Sequence, residues 1–313
     1  MNWIGIAIAL PLIALIFLEL ALRIFFGFGD PLLYLADDHI GYLLAPNQSV
    51  RRFGNRIEIN DDSMRSRTVT PKAEMGTKRV LMIGDSIVNG GWWTDQTQIL
   101  SELVAHDGLE VLNASANSWS PRNELAYLQR FGTFNADVIV LVINTDDLFG
   151  TPPTSLGVGR DRNYPNRKPL CAIVEVIDRY LLPAPELPAE LKQIQAEPGD
   201  RVGINLKTIQ HIRDFAVQNH AKFILAMTPL LRELVPPGSR EYELKARQRL
   251  SKMAQTEKID YIDFLAILQR SPDPKRLYRD HIHLSATGNQ QVSKWIRQSI
   301  ESQTHLGNID LRS

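Results

Sequence analysis

The sequence has a single cysteine, Cys171, so no intramolecular disulfide can form and cysteine usage identifies no redox compartment. No Cys/His spacing suits a zinc site. Cys171 stands in the apolar run Leu170-Cys171-Ala172-Ile173-Val174 and reads as a small hydrophobe. Net charge is also missing: 35 basic residues face 35 acidic ones, with no basic tail and no acidic block, so nothing global draws the chain toward nucleic acid. Internal repeats and low-complexity tracts are absent. What remains is an ordinary globular composition: 313 residues, 44% hydrophobic, with ample material for a core.

Charge is absent from one stretch above all. Residues 2–18, NWIGIAIALPLIALIFL, carry none, and the apolar character runs past Glu19 and Arg23 to Phe28. About 20 residues span the hydrocarbon core as a helix, so the segment is long enough. Glu19 and Arg23 stand four apart and can neutralise each other near the interface. A cleaved signal peptide would need a basic start and a small-residue cleavage site, and neither is present. A soluble core helix this uniformly apolar is unusual. We therefore read residues 1–29 as a transmembrane anchor, which predicts a single-pass membrane protein with an extracytoplasmic domain. Arg23 is the only nearby basic residue, so the positive-inside rule has little to count.

Residues 30–78 read as a polar, turn-rich connector in which RIEIN alternates like a short strand. From Arg79 the rhythm changes. RVLMIG, LEVLNAS, ADVIVLVIN, KFILAMTP and IDYIDF read as strands. Segments with helical spacing separate them and close the chain, the last being SATGNQQVSKWIRQSIES. Alternating strands and helices imply a parallel sheet covered on both faces, with ligands beyond the carboxyl ends of the strands. The rhythm breaks at 149–200, a proline- and charge-rich stretch too long for an ordinary connection, which we read as an insertion near the active face.

Ser86 follows the first buried strand in VLMIGDSIVNGGWW. A serine hydroxyl is a poor nucleophile until a base removes its proton, and a histidine held by a carboxylate is the usual base. YRDHIHLSATG supplies such a pair, Asp280 and His283, in a loop before the last helix. Gly84-Asp85-Ser86 alone is equally a glycine-permitted turn in which Asp85 bonds local backbone. The distant Asp-x-x-His favours the nucleophile.

Together, in this order, these blocks resemble the SGNH/GDSL hydrolase superfamily over roughly residues 79–303, and the apolar N-terminus and connector resemble its membrane-anchored bacterial members. The resemblance implies a three-layer α/β sandwich with a parallel, flavodoxin-like sheet over residues 79–313. It implies Ser86 as nucleophile, His283 as general base and Asp280 as its orienting partner, with no metal and no organic cofactor. It further implies an oxyanion hole from the Ser86 N–H, a backbone N–H where the family has glycine, and an asparagine side chain. Here Ser118 stands at the glycine position and Asp146 at the asparagine position. An ionised carboxylate cannot donate a hydrogen bond. Three alternatives remain open: protonation of Asp146 by burial, substitution by Asn117 or Asn144, or stabilisation by the two N–H donors alone.

The implied activity is a serine-dependent ester hydrolase or O-acyltransferase working on small-molecule, glycan or lipid esters. The alternative is a catalytically weakened glycan-binding or scaffolding module. No nucleic-acid partner is expected, and the sequence does not set an oligomeric state. Trp92, Trp93 and Trp119 follow the first two blocks and either line a substrate pocket or pack. His281 with His283 as a metal pair finds no third ligand nearby, and Asp146-Asp147 alone is a thin cation site. Arg160, Arg162, Arg167 and Lys168 either meet anionic groups or are solvated. The apolar helix expected at 170–182 either rests on a bilayer or packs on the domain.

Overall fold

The computed structural model describes residues 3–307. A helix at Trp3–Ala21 continues as a π-helical turn, Leu22–Phe26. Within it residues 9–26 average a hydropathy of 2.2 and none is buried, so this helix is long and apolar enough to cross a membrane. Gly27 ends it in the left-handed region, at φ +75°, where its N–H bonds the Arg23 carbonyl.

Two antiparallel hairpins follow: β1 (Tyr34–Asp37) with β2 (Gly41–Leu44), and β3 (Gln48–Arg52) with β4 (Asn55–Ile59). A polar connector with one short strand was expected here. The segment is instead structural. Tyr34, Leu44, Ile57 and Ile59 of the hairpins, with Ile40 between β1 and β2 and Met64 after β4, enter the larger core cluster, because one face of each hairpin packs on the domain.

The main sheet is parallel throughout, in the spatial order Leu109–Ser115, Lys78–Gly84, Val138–Asn144, Lys222–Thr228, Asp260–Asp263. Its strands are β5 (Lys78–Gly84), β6 (Leu109–Ser115), β7 (Val138–Asn144), β8 (Lys222–Thr228) and β9 (Asp260–Asp263). All seven residues of β7 are buried, which accounts for its unbroken apolar run. Along β5 and β7 the side chains part to opposite faces. Leu81, Ile83, Ile139 and Leu141 join the layer of helices Pro121–Phe131, Arg201–Gln218 and Glu241–Thr256. Val80, Met82, Val140 and Val142 join Leu100–Val104, Phe264–Leu268 and Ala286–Gly307. This is the three-layer α/β architecture.

Strand order reverses at β5, with β6 on one side and β7 on the other, and ligands bind at such switch points. The loop leaving β5 is fixed from below by Arg65. This fully buried guanidinium donates to the carbonyls of Asn89 at 2.6 Å, Gly91 at 2.7 Å and Thr94 at 2.6 Å. Burial lowers its pKa to about 10, which still leaves it charged near neutrality and able to hold all three.

Candidate active site

β5 ends at Gly84, where a Cβ would lie 2.4 Å from the Val142 carbonyl oxygen, so only glycine lets β5 and β7 approach this closely. Asp85 then caps a single helical turn, Ser86–Asn89, its Oδ1 accepting the Ile87 N–H at 2.8 Å. Ser86 is buried. As the first helical residue, it has no intrahelical acceptor for its N–H.

The loop before the last helix brings His283 to it. His283 Nε2 lies 3.0 Å from Ser86 Oγ, and Nδ1 lies 2.8 Å from Asp280 Oδ2. The other oxygen, Asp280 Oδ1, accepts the N–H groups of Ile282 at 3.0 Å and His283 at 2.8 Å. Burial works against ionisation of Asp280, but these two amides and the imidazole hold its carboxyl below the usual range. A charged carboxylate on Nδ1 favours the tautomer that leaves Nε2 free to accept a proton. Trp93 packs its ring 4.4 Å from the imidazole, and the Arg279 guanidinium covers Trp93 at 5.1 Å. His281 turns away, its side chain 83% exposed, so it does not join His283 as a ligand pair.

Ser118 adopts φ +62°, the left-handed region that glycine enters freely. A non-glycine residue therefore holds the backbone shape associated with glycine at this position. Its hydroxyl accepts from Tyr164 OH at 3.0 Å. Asp146 is exposed beside Ser86 and Ser118 in a groove of about 610 Å³. Partial desolvation raises its pKa; Arg232 opposes the rise, and Glu243 and Glu233 add to it.

Asn144 does not serve as the substitute donor that its sequence position suggests. Its Nδ2 is committed to Asp85 Oδ2 at 2.8 Å and Asp147 Oδ2 at 2.9 Å, and its Oδ1 accepts the Asp146 N–H at 2.7 Å. The capping geometry of the turn after β7 consumes both ends of the amide. Trp119 likewise differs from a substrate-stacking residue. It is buried, and its Nε1–H donates to the Tyr42 carbonyl at 3.0 Å. Asn117 borders a second, aromatic cavity of about 250 Å³ shared by Ser86, Ser118 and His283. Its Nδ2 makes a 3.4 Å contact with Tyr34 OH.

Behind Ser86 lies a group of carboxyls whose combination sequence reasoning missed. Asp85 Oδ2 accepts from Asn144 and, at 3.3 Å, from Ser86 Oγ, while Asp147 Oδ2 accepts the Asn144 N–H at 2.7 Å. Glu124, fully buried on helix Pro121–Phe131, has neither oxygen hydrogen-bonded among the described residues. Burial pushes Asp85 up to about 6. Burial and then repulsion by Asp85 push Asp147 and Glu124 well above the carboxylate range. In the sequence Glu124 looks like an ordinary first-turn acid; only packing turns it inward.

A carboxyl whose folded pKa is raised favours folding below its ordinary pKa, and that contribution is lost as pH rises toward the elevated value. Replacing Glu124 by methionine should therefore raise stability by about 1–3 kcal/mol, with a larger gain at about pH 8 than at about pH 5. Urea unfolding at both pH values measures it, and a loss of stability at the higher pH would contradict the buried neutral acid.

The GDSL-like lipase/acylhydrolase family profile matches residues 82–291. The chain belongs to this family. Its fold and family are those of hydrolases that act on esters. Among solved structures the chain resembles the lipase/acylhydrolase from Enterococcus faecalis, at 13% identity and TM-score 0.45, covering 72% of this chain and 97% of that one. It also resembles a catalytic mutant of an acetylxylan esterase from Geobacillus stearothermophilus, at 13% identity and TM-score 0.46, covering 73% and 96%. A member of the lipolytic G-D-S-L family from Veillonella parvula has 13% identity and TM-score 0.43, covering 70% and 95%. A search of curated proteins found no match.

Proposed function

We propose that this GDSL-family chain is a serine esterase or O-acyltransferase that works through an acyl-Ser86 intermediate on acyl or acetyl esters of a carbohydrate or lipid. The observation that carries the proposal is the continuous hydrogen-bonded chain from Ser86 Oγ through His283 to Asp280. In this reading Ser86 Oγ attacks the ester carbonyl carbon while its proton passes to His283 Nε2. The carbonyl π pair moves to oxygen, and the N–H groups of Ser86 and Ser118 receive the negative charge. As that pair returns, the bond to the alcohol breaks, and the alcohol leaves with the proton from His283. Water or an acceptor hydroxyl then attacks the acyl group and gives its proton to Nε2; as the Oγ–acyl bond breaks, its electron pair stays on Ser86 Oγ, which takes that proton back from His283. Asp280 stays ionised throughout and stabilises the imidazolium. The N-terminal helix anchors the domain to a membrane.

Asp146 is the departure that gives the second reading, a weakened binding module, its support. With Asn144 committed elsewhere, an acid stands where a donor is wanted. Labelling of the purified full chain with a fluorophosphonate probe, lost in a His283→Ala variant, is expected of the enzyme. A folded protein that does not label is expected of the binding module. Asp146→Asn should raise kcat, by up to about 10²-fold, because an amide can donate to the oxyanion. Steady-state hydrolysis of p-nitrophenyl acetate measures it, and a decrease would assign Asp146 a different task.

A further inference from the structure

The aromatic cavity beside Ser86 leads back to the N-terminal helix. Phe26 closes that helix, and its carbonyl accepts the Phe53 N–H at 3.0 Å. From there rings succeed one another without a gap. Phe26 to Phe53 is 6.0 Å, Phe53 to Trp92 is 5.1 Å, Trp92 to Trp93 is 5.7 Å, and Trp93 to His283 is 4.4 Å. Phe53, Trp92 and Trp93 line the cavity together with Pro31 and Tyr180. Pro31 is five residues beyond Phe26, so the cavity wall begins within about 18 Å of the helix end.

The insertion is tied to the same place. Its helix, Ala172–Val176 with the turn Ile177–Leu181, starts where Glu19 accepts the N–H groups of Ala172 at 2.8 Å and Ile173 at 3.0 Å. Glu19 lies within the apolar helix, seven residues, or about 10 Å, before Phe26. Glu175 anchors the other side of the junction. It accepts the Gly29 N–H at 2.6 Å and pairs with buried Arg52. Away from these contacts the insertion turns an apolar stripe outward: Leu170 (94% exposed), Val174 (42%), Ile177 (39%) and Leu181 (74%). Val174, Ile177 and Leu181, spaced three and four residues apart, fall on one side of the helix and its closing turn, and Leu170 stands just before its start. Beside it stand exposed Ile24 and Phe25. Arg160 and Arg167, also exposed, have no carboxylate within ion-pair distance among the described residues. An apolar stripe with aromatics and free arginines, continuous with an apolar helix of spanning length, matches a membrane interface.

We propose that the Leu170–Leu182 segment lies in the bilayer interface beside the N-terminal helix, and that the Phe26–Phe53–Trp92–Trp93 ladder carries the acyl chain of a membrane-resident lipid ester to Ser86. This rests on the reading of Ser86 as nucleophile and of the N-terminal helix as a membrane span. The substrate is then drawn from the membrane and its acyl chain occupies the aromatic cavity. The wider polar groove on the other side of Ser86, with Asp146 and His281, faces the alcohol portion.

The test uses the full chain, with Cys171→Ser, reconstituted in a phosphatidylcholine–phosphatidylglycerol bilayer. Single spin labels are placed at Leu181, at Leu15 in the N-terminal helix, and at Lys245, exposed on helix Glu241–Thr256. Electron paramagnetic resonance power saturation reports depth. Labels at 15 and 181 are expected to be shielded by lipid and the label at 245 to be in water. A lipid-shielded 15 with an aqueous 181 overturns the interfacial segment while the anchor stands. Aqueous labels at both overturn the anchor and the proposal together. The unlabelled chain in the same bilayer should favour p-nitrophenyl decanoate over p-nitrophenyl acetate in kcat/KM by about tenfold or more, the effect of burying two methylenes. Acetate turnover without a preference for decanoate overturns the lipid substrate while the nucleophile stands. No turnover of either ester overturns the nucleophile and the path with it.

Discussion

Ser86→Ala is expected to lower kcat/KM toward p-nitrophenyl acetate by roughly 10⁴–10⁶-fold, the scale on which serine hydrolases depend on their nucleophile. The hydroxyl has no substitute. Asp85 is adjacent, but its carboxylate is committed to the Ile87 N–H and the Asn144 amide. The fold should tolerate the change, since the lost hydroxyl contacts are a 3.3 Å approach to Asp85 and the bond to His283. Circular dichroism and thermal unfolding should match the parent chain while turnover disappears. Retained turnover would remove Ser86 from the mechanism, whatever its distance from His283.

Asp280→Asn is the second large effect, about 10⁴-fold in kcat. The carboxylate has two tasks here, and the substitution separates them. An asparagine oxygen can still accept the N–H groups of Ile282 and His283, so the loop should keep its shape. The new amide nitrogen, facing His283 Nδ1, is a donor rather than an acceptor. It favours the tautomer with the proton on Nε2, which then points at Ser86 and cannot take its proton. The expected signature is a fall in kcat with little change in KM and near-parental stability. A loss of only a few fold would mean that imidazole orientation is set by the Trp93 and Arg279 packing rather than by the acid.

The carboxyls behind Ser86 bear on both results. Asp85 is pushed up to about 6 by burial, so below that pH it gains a proton and loses capacity to accept from Asn144 and the Ser86 hydroxyl. The support under the Ser86 turn is thus itself titratable, next to an Asp147 and a Glu124 raised well above the ordinary range. Removing Glu124 eases the repulsion among them, a second reason for methionine to stabilise the chain at that position.

The alternation of apolar strands and amphipathic helices from Arg79 onward is a local signal, and it sufficed to read the parallel sheet. β7 is legible because a strand buried on both faces must be apolar at every position. The N-terminal helix is legible because seventeen consecutive uncharged residues stand out as one apolar segment. Ser86, His283 and Asp280 were legible as candidates because a strand-end serine and an Asp-x-x-His loop are short patterns with a chemical meaning. Their geometry was not. Residues 86 and 283 are far apart in the chain, and only the sheet order, with β5 at the switch point, brings them within 3.0 Å.

Other features belonged to tertiary structure from the start. The hairpins of residues 34–59 looked like a connector because short alternating strands carry too few apolar residues to register; their burial depends on what they pack against. Asn144 looked available to an oxyanion, and only the folded turn shows its amide consumed by Asp85 and Asp147. Glu124 shares the buried face of its helix with Tyr127 and Leu128, three and four residues on, and periodicity does not say what an acid on that face will meet. The path of rings from Phe26 to His283 is assembled from four separate segments. Sequence by itself determined the elements and the reactive residue types, since both follow from local chemistry. The distances that join those residues, and the neighbours that set their charge, were decided by tertiary structure alone, because burial and proximity are properties of the packed chain.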